Sequence, residues 1–216
     1  MSKLYFRYGA MNSGKSTHLM QVAYNYKERG MRVLLIKPST DKKGGDRLVS
    51  RLGVEVKVDM IVDKDTSILS EVKENIELGG KLDCILVDEV QFMKKYQIDQ
   101  LFEIAVTLEI PVICYGLRTD FKMEGFEGSE RLLLIAHSIE EMKTICKCGN
   151  KALLNGRKIN GKFVFSGDQI AIDTVDNVEY ESLCGQCYYK YKNEERSKWV
   201  IIWKEKMLVG KLLLKE

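Results

Sequence analysis

The sequence carries little net charge and no concentrated block of one sign. Its 34 Lys and Arg residues and 31 Asp and Glu residues leave a formal charge of +3 at pH 7 over 216 residues, and five like charges never follow one another. Proteins that attract nucleic acid electrostatically carry basic patches or stripes. The sequence therefore predicts no nucleic-acid partner.

Long apolar runs are lacking as well. No apolar stretch approaches the length that a bilayer-crossing helix needs, so no membrane partner is expected. Met1-Ser2-Lys3-Leu4 leads directly into strand-like sequence, without the hydrophobic region of a secretory signal. In a chain without an export signal, six cysteines favour free thiols or metal ligands over disulfides. These features predict a cytoplasmic protein.

What the sequence does contain is an alternation of short apolar segments with helical patterns, which is typical of a parallel α/β sheet. Hydrophobic residues make up 45% of the chain, enough for a substantial core. We expect helices at about residues 15–29, 66–78 and 95–108, and polar loops at residues 39–47 and 122–129. Strands are expected at Leu4–Tyr8, Arg32–Lys37, Cys84–Asp88, Val112–Gly116 and Arg131–Ala136.

A glycine-rich segment, Gly9-Ala10-Met11-Asn12-Ser13-Gly14-Lys15-Ser16, follows the first predicted strand and opens the first predicted helix. That context is the one a phosphate-binding loop requires, because backbone N–H groups and the helix N-terminus form an anion site. Lys15 is expected to reach the β- and γ-phosphates, and the Ser16 hydroxyl to ligate Mg²⁺. The alternative is a chance match, which roughly one in a hundred chains of this length would contain.

Two carboxylates end the apolar strand Ile85-Leu86-Val87-Asp88-Glu89. In phosphate-loop proteins an Asp at this point holds Mg²⁺, usually through water; the alternative is that Asp88 only caps a loop. Glu89 is expected at the carboxyl end of the strand, where open α/β sheets bind ligands. Its residue type leaves two roles open, since a carboxylate there can deprotonate water in an ATPase or a substrate hydroxyl in a kinase.

Four of the six cysteines form two close pairs. Cys146-x-Cys148 and Cys184-x2-Cys187 are separated by 35 residues, and in a reducing compartment such pairs indicate a tetrahedral Zn²⁺ site. A closed set of four sulfurs leaves no open position, so the zinc would be structural and would tie down a segment without an obvious core. The alternative is two redox-active or unpaired cysteine pairs. The remaining two, Cys84 and Cys114, are expected to be small core residues.

In their order along the chain, these features resemble the type II, or cytosolic-type, thymidine kinases over about residues 1–192. Met11 lies inside the phosphate loop, and the cysteine pairs bracket a segment that ends in Tyr180-x3-Cys184. The other two matching motifs are Asp88-Glu89-Val90-Gln91-Phe92 and Tyr115-Gly116-Leu117-Arg118-Thr119-Asp120-Phe121.

The resemblance implies a RecA-like phosphate-loop sheet with helices on both faces at residues 1–142 and a small zinc-binding domain with a lasso loop at residues 143–192. It implies transfer of the γ-phosphoryl group of Mg-ATP to the 5′-hydroxyl of thymidine, for pyrimidine deoxynucleoside salvage, with deoxyuridine as a further acceptor. It also implies a homotetramer and feedback inhibition by thymidine triphosphate.

By the same resemblance, Glu89 is the general base, and Gln91 joins Asp88 and the phosphate loop on the ATP and magnesium side. The base and sugar would be surrounded by apolar side chains, which suits a flat pyrimidine. These are Met11, Phe92, Leu117, Phe121 and Tyr180.

The chain departs from the family at two points. The first cysteine pair is usually C-x2-C, so the backbone around Cys146 and Cys148 is expected to differ locally. Residues 193–216 extend past the usual end and include Trp199-Val200-Ile201-Ile202-Trp203. This apolar run would add an edge strand or a subunit contact, or have no role at all.

By the resemblance, the loop that contains Asp46, Arg47 and Arg51 lies where the family carries a basic residue near the phosphates. Arg47 is the candidate for neutralising transition-state charge, and a solvated arginine is the alternative. Two other functions stay open on the residues alone: a phosphate-loop ATPase with a zinc ribbon acting on nucleic acid, and a regulator that binds nucleotide without turnover.

Overall fold

The computed structural model describes residues 1–41, 44–169 and 177–197. The helices are α1 (Lys15–Glu28), α2 (Ile68–Gly79), α3 (Lys95–Thr107), α4 (Glu127–Ile135) and α5 (residues 185–197), and Val90–Phe92 form one turn of 3-10 helix. The strands are β1 (Leu4–Tyr8), β2 (Val33–Pro38), β3 (Arg47–Val49), β4 (Glu55–Lys57), β5 (Met60–Val62), β6 (Cys84–Val87), β7 (Val112–Gly116), β8 (Ser138–Glu141), β9 (Thr144–Ile145), β10 (Lys151–Ala152), β11 (Leu154–Ile159), β12 (Lys162–Val164) and β13 (Val178–Leu183).

A six-stranded sheet in the order β5-β2-β6-β7-β1-β8 forms the centre of the molecule, and all its pairings are parallel. The predicted parallel α/β fold is therefore confirmed. In such a sheet the carboxyl ends of the strands share one edge, and β1 and β6 here deliver the phosphate loop and the two carboxylates to it.

Helices cover both faces of this sheet, because side chains alternate between the faces along each strand. On β2, Leu34 and Ile36 pack in one core cluster with residues of α2, α3 and α4. Their neighbours Val33 and Leu35 pack in a second cluster with residues of α1. The nearly continuous burial of β2, β6 and β7 follows from having helices on both sides.

The predicted strand Arg131–Ala136 is wrong, because these residues belong mainly to α4. An apolar run of this length fits either a buried strand or a helix. Leu132 is fully buried while Leu134 is exposed, as one face of a helix requires. The sixth strand of the sheet is instead β8, a polar edge strand that pairs with β1. The predicted loop 122–129 is correspondingly shorter, since α4 begins at Glu127.

Three short strands were not expected. The segment of residues 39–47 leads into a hairpin of β3 and β4, and β5 then joins the edge of the sheet beside β2. Leu48 and Val58 from this region are buried in the cluster with α1. The hairpin therefore covers part of the sheet face on which α1 lies.

The C-terminal module, residues 143–197, contains a three-stranded antiparallel sheet in the order β12-β11-β13, the β9–β10 pair and α5. The expectation that it lacks a core of its own is wrong, since Ala152, Leu154, Leu183 and Tyr188 are buried together with Cys146 and Cys184. The helix α5 runs through residue 193, so the predicted boundary after residue 192 falls inside it.

Part of the predicted lasso, residues 170–176, and the apolar run that begins at Trp199 lie outside the described residues. Within the part of the chain that the structure describes, no helix combines the length and the apolar character needed to cross a membrane.

Candidate active site

One cavity of about 940 Å³ opens at the carboxyl edge of the sheet and extends to the C-terminal module. It joins the phosphate loop at one end to an apolar wall at the other. All five residues expected around the base and sugar line it, as do five of those expected on the phosphate side and Glu89. The lining thus includes Met11, Phe92, Leu117, Phe121, Tyr180, Asn12, Gly14, Lys15, Ser16, Gln91 and Glu89.

The phosphate loop has the backbone that its sequence requires. Asn12 and Gly14 both adopt left-handed conformations, with φ of 67° and 79°, and α1 begins directly after Gly14. A Cβ at Gly9 would lie 2.4 Å from the Met142 carbonyl oxygen, so only glycine fits there. The loop is therefore a tight turn that ends at a helix N-terminus, which is an anion-binding arrangement.

Lys15 lies folded back along the phosphate loop and is 7% exposed. Its Nζ donates to the carbonyl oxygens of Ala10 at 3.0 Å and Gly9 at 3.3 Å. Burial lowers the pKa of Lys15, and the neighbouring Glu89 and Asp88 carboxylates oppose that shift. The ammonium is thus a buried cation at the end of the cavity where phosphates would be received.

Ser16 and Asp88 are brought together from α1 and the end of β6. The Ser16 hydroxyl donates to Asp88 Oδ2 at 2.9 Å, while Asp88 Oδ1 is buried and has no hydrogen-bond partner among the residues that the structure describes. Burial, and next the charge of Glu89, raise the pKa of Asp88. A buried carboxylate with a free oxygen beside a hydroxyl is a set of hard oxygen ligands, which fits Mg²⁺.

Glu89 lies just past β6 in a left-handed conformation, φ 47° and ψ 36°, which is uncommon for a residue with a side chain. Its Oε2 accepts a hydrogen bond from the Gln91 side-chain amide. Gln91 is buried, and its Oε1 in turn accepts from the Leu117 N–H at 3.0 Å. The described contacts of Gln91 are therefore to Glu89 and to main chain, so it orients the carboxylate.

The apolar end of the cavity is built from three separate segments. Phe92 is the last residue of the 3-10 turn and meets Phe126 edge-on, with ring centroids 5.7 Å apart and planes at 86°. Phe121, from the loop after β7, carries the Arg157 guanidinium 3.7 Å from its ring centroid. Arg157 Nε also donates to the Tyr180 hydroxyl at 3.1 Å. Flat apolar surfaces with few polar groups suit an aromatic base.

The predicted phosphate-side arginine lies away from this cavity. Arg47 is exposed on β3 and forms an ion pair with Glu55 at 3.7 Å. Arg51, in the turn between β3 and β4, lines the cavity instead. Sequence analysis identified the right loop but could not tell which arginine faces inward.

The four paired cysteines converge in the C-terminal module, where all their Sγ atoms lie within 4.8 Å of one another. Tetrahedral Zn–S bonds of about 2.3 Å place sulfurs about 3.8 Å apart, and Cys148 and Cys184 are at 3.5 Å. The cluster is therefore compatible with a structural zinc ion, including Cys146 of the unusual C-x-C pair. A turn in which the Gly149 N–H donates to the Cys146 carbonyl at 2.8 Å brings that pair together.

The pKa values of Cys184 and Cys187 are shifted in opposite directions. The Cys187 N–H donates to Cys184 Sγ at 3.4 Å, which lowers the pKa of Cys184. Hydrogen bonds within the cluster, first from Cys148, raise the pKa of Cys187. Four adjacent thiols cannot all ionise without a cation among them, so the cluster has the chemistry of a metal site. The other two cysteines, Cys84 and Cys114, are buried in β6 and β7 as expected.

Several cavity residues escaped sequence analysis. Asn155 comes from β11, His18 from α1, and Gln169 from beyond β12. No local pattern singles them out, because they reach the cavity only through the tertiary arrangement. Asp120, which also lines it, lies within a motif that sequence analysis quoted, and that position was the one available signal.

The chain is similar in sequence to known proteins. The family model described as thymidine kinase matches residues 2–188. A thymidine kinase of Xanthomonas axonopodis pv. citri is 48% identical over 174 residues, 80% of this chain and 83% of that protein. One of Mannheimia succiniciproducens is 45% identical over 197 residues, 89% of this chain and 97% of that protein.

Likeness to solved structures is weaker. The replication initiator DnaA bound to AMPPCP and single-stranded DNA has a TM-score of 0.39 and 18% identity, covering 66% of this chain and 41% of that one. A score at this level carries no argument about the site.

Proposed function

Because the chain belongs to the thymidine kinase family, we propose that its 940 Å³ cavity is where thymidine receives the γ-phosphoryl group of ATP on its 5′-hydroxyl. The protein is a nucleoside kinase, and its salvage role follows from the family. The observation that supports this use of the cavity is the placement of Glu89. Its carboxylate lies in one space with the cation and hydroxyl of the phosphate loop and with the aromatic wall.

In this proposal Glu89 is the general base that accepts the proton of the 5′-hydroxyl. Gln91 donates to its Oε2 and is itself fixed by the Leu117 N–H, so the carboxylate is held in one orientation. Pre-orientation of this kind lowers the barrier because the reacting groups meet without further ordering. The aromatic side chains Phe92, Phe121 and Tyr180 would hold the base and sugar in position.

The phosphate side needs little covalent chemistry, since positioning and charge neutralisation dominate phosphoryl transfer. Lys15 would bind the β- and γ-phosphates and Arg51 would approach them from the β3–β4 turn. Ser16 and Asp88 would hold Mg²⁺, which supplies charge neutralisation at the transferring group when bound. Asp88 Oδ1, which is buried and has no hydrogen-bond partner in the described part of the chain, supports that role.

Further properties remain predictions. A homotetramer, inhibition by thymidine triphosphate and phosphorylation of deoxyuridine rest on the resemblance, while zinc in the cysteine cluster and a cytoplasmic location rest on the sequence itself. The compact arrangement of four sulfurs supports the zinc prediction.

The decisive assay measures ADP and nucleoside monophosphate together after incubation with Mg-ATP and a panel of nucleosides. We expect thymidine-dependent ADP with an equal amount of thymidine monophosphate. ADP formed at the same rate without nucleoside, or only with DNA, would mean that Glu89 activates water. ATP binding with no product under any nucleoside would favour a sensor.

A further inference from the structure

Side chains of the C-terminal module hold the phosphate loop from outside. The Met11 N–H donates to Asn155 Oδ1 at 2.8 Å, and the Ser182 hydroxyl donates to the Met11 carbonyl. Asn155 is 3% exposed and Ser182 is 4% exposed, so water cannot readily replace either contact. Both polar groups of the Met11 main chain are thus engaged by the module.

Asn155 also reaches the nucleoside end of the cavity. Its Nδ2 donates to the Thr119 carbonyl at 2.9 Å, two residues before Phe121. Asn155 itself lines the cavity. One buried amide therefore links the phosphate loop to the loop that carries an aromatic wall residue.

The register of β11 and β13 places the residues that contact the phosphate loop and those at the aromatic end of the cavity on one face of the sheet. On the β11–β13 pair, Asn155 lies opposite Ser182 and Arg157 lies opposite Tyr180. Opposite residues share a face of a sheet, and so do residues two apart on one strand. We call these four side chains the clamp face. Asn155 and Ser182 hold Met11. Tyr180 lines the aromatic end of the cavity, and Arg157 donates to its hydroxyl.

The module also contacts the phosphate loop beyond Met11. Asn12, the next residue, is in a left-handed conformation, which is uncommon outside glycine although asparagine adopts it more readily than most residues. The Thr144 hydroxyl contacts the Asn12 carbonyl at 3.3 Å, also from the module. A shift of the clamp face would therefore move the peptide groups that precede Gly14 and Lys15.

We propose that the Asn155–Ser182 half of the clamp face couples the two ends of the cavity, so that nucleoside held against Phe121 and Tyr180 raises the affinity of the phosphate loop for ATP. Asn155 and Ser182 are positioning residues in this scheme. The inference rests on the proposed function. By thermodynamic linkage the coupling is reciprocal, and ATP raises the affinity for nucleoside by the same factor.

The test is a binding experiment without turnover. Isothermal titration calorimetry of the full chain with Mg-AMPPNP, with and without saturating thymidine, gives the coupling factor directly. In the wild-type protein we expect at least about 5-fold tighter binding with thymidine, the lower end of typical couplings. Asn155→Ala should reduce that factor to less than about 2-fold, and Ser182→Ala should give an intermediate value.

The matched control is Lys158→Met, which removes an ion pair with Glu181 on the same two strands, away from Met11. It should keep the wild-type coupling. Should Asn155→Ala fail to fold, as judged by its thermal melt, the smaller Ser182→Ala change decides. Wild-type coupling in the folded Asn155→Ala variant, or in Ser182→Ala, would overturn the proposal.

Thymidine that binds and is phosphorylated, but leaves AMPPNP affinity unchanged in the wild-type protein, would also overturn this proposal alone. Thymidine that tightens AMPPNP binding and yet receives no phosphate would overturn the proposed function while supporting the coupling. The two failures are therefore distinguishable.

Discussion

The central sheet domain and the C-terminal module of this chain differ in how much buried apolar surface stabilises them. The domain buries apolar side chains on both faces of six parallel strands. The module has a small core, in which two of the six buried residues are cysteines of a four-sulfur cluster. Each large apolar side chain supplies about 1.5–3 kcal/mol on burial, so the module gains far less than the domain from this source.

The difference separates what each region contributes to the site. In the proposed function, the groups that would react, Lys15, Asp88 and Glu89, lie in the domain, on the phosphate loop and just after β6. Asn155, Arg157 and Tyr180 of the module would position and enclose the substrates. The module, with its small core and a cysteine cluster compatible with zinc, thus carries the groups proposed to position the substrates, while the groups proposed to react lie in the domain with the larger core.

The largest expected effect comes from replacing the proposed general base, a substitution that leaves the hydrophobic cores of the domain and of the module unchanged. Glu89→Gln should reduce kcat by roughly 10²–10⁴-fold, the usual contribution of a general base. The replacement amide can still accept the hydrogen bond from Gln91, so thymidine binding and the melting temperature should stay near wild type. Steady-state kinetics with calorimetric thymidine binding would measure this.

The matched control for that variant is Glu127→Gln, a carboxylate at the start of α4 that pairs with Lys94 outside the cavity. It should leave kcat unchanged. If Glu89→Gln turned over thymidine at the wild-type rate, the base would have to be another group.

Metal removal should separate the stability of the module from that of the domain most directly. Structural zinc contributes apparent binding energies of about 10–16 kcal/mol in small metal-dependent folds, more than the few apolar residues here provide. A strong chelator, or Cys184→Ser, should therefore expose the amides of β11, β13 and α5 to rapid hydrogen exchange. Protection in β2, β6 and β7 should persist, and kinase activity should fall because the clamp face is lost.

Cys114→Ala is the control, because it removes a thiol buried in β7 instead of one in the cluster. It should weaken the domain modestly and leave the module protected. A chelated protein that keeps full protection in β11 and β13 would show that the small core suffices by itself.

The sequence predicted the reacting half of the site better than the positioning half, for a physical reason. The phosphate loop and the carboxylates after β6 are local motifs whose spacing is fixed by one strand and one turn. Asn155 and Ser182 lie opposite each other in the β11–β13 pairing although they are 27 residues apart along the chain, and neither has a local sequence signature. Arg47 was chosen over Arg51 of the same loop because the β3–β4 hairpin, in whose turn Arg51 lines the cavity, was not anticipated.

The fold shows the same division. Strands with continuous apolar runs, such as β2 and β6, were located to within one residue, because burial on both faces dictates their composition. The polar edge strand β8 was missed and the apolar run before it was assigned to the sheet. Edge strands need little hydrophobic character, and a short apolar run does not distinguish strand from helix.

The smallest expected effect concerns the cost of keeping Asp88 charged inside the domain. Its pKa is raised, chiefly by burial and then by Glu89, so the folded protein holds this proton more tightly than the unfolded chain does. The favourable contribution is therefore present at acid pH, below the ordinary carboxyl range, and is lost as pH rises toward neutrality. Replacing the Asp88 carboxylate with a neutral group removes this loss of stability at neutral pH.

Asp88→Asn should consequently raise the melting temperature in magnesium-free buffer by a few degrees at pH 8, on the scale of about 2–4 °C per kcal/mol for a chain of this size. The gap to wild type should shrink as the pH is lowered to 5, since wild-type Asp88 then becomes neutral. Activity with Mg-ATP should fall in the same variant, because the substitution that removes the cost of a buried charge also removes a proposed Mg²⁺ ligand. A melting-temperature gap that stays constant between pH 5 and 8 would mean that Asp88 is not the group whose charge the fold opposes.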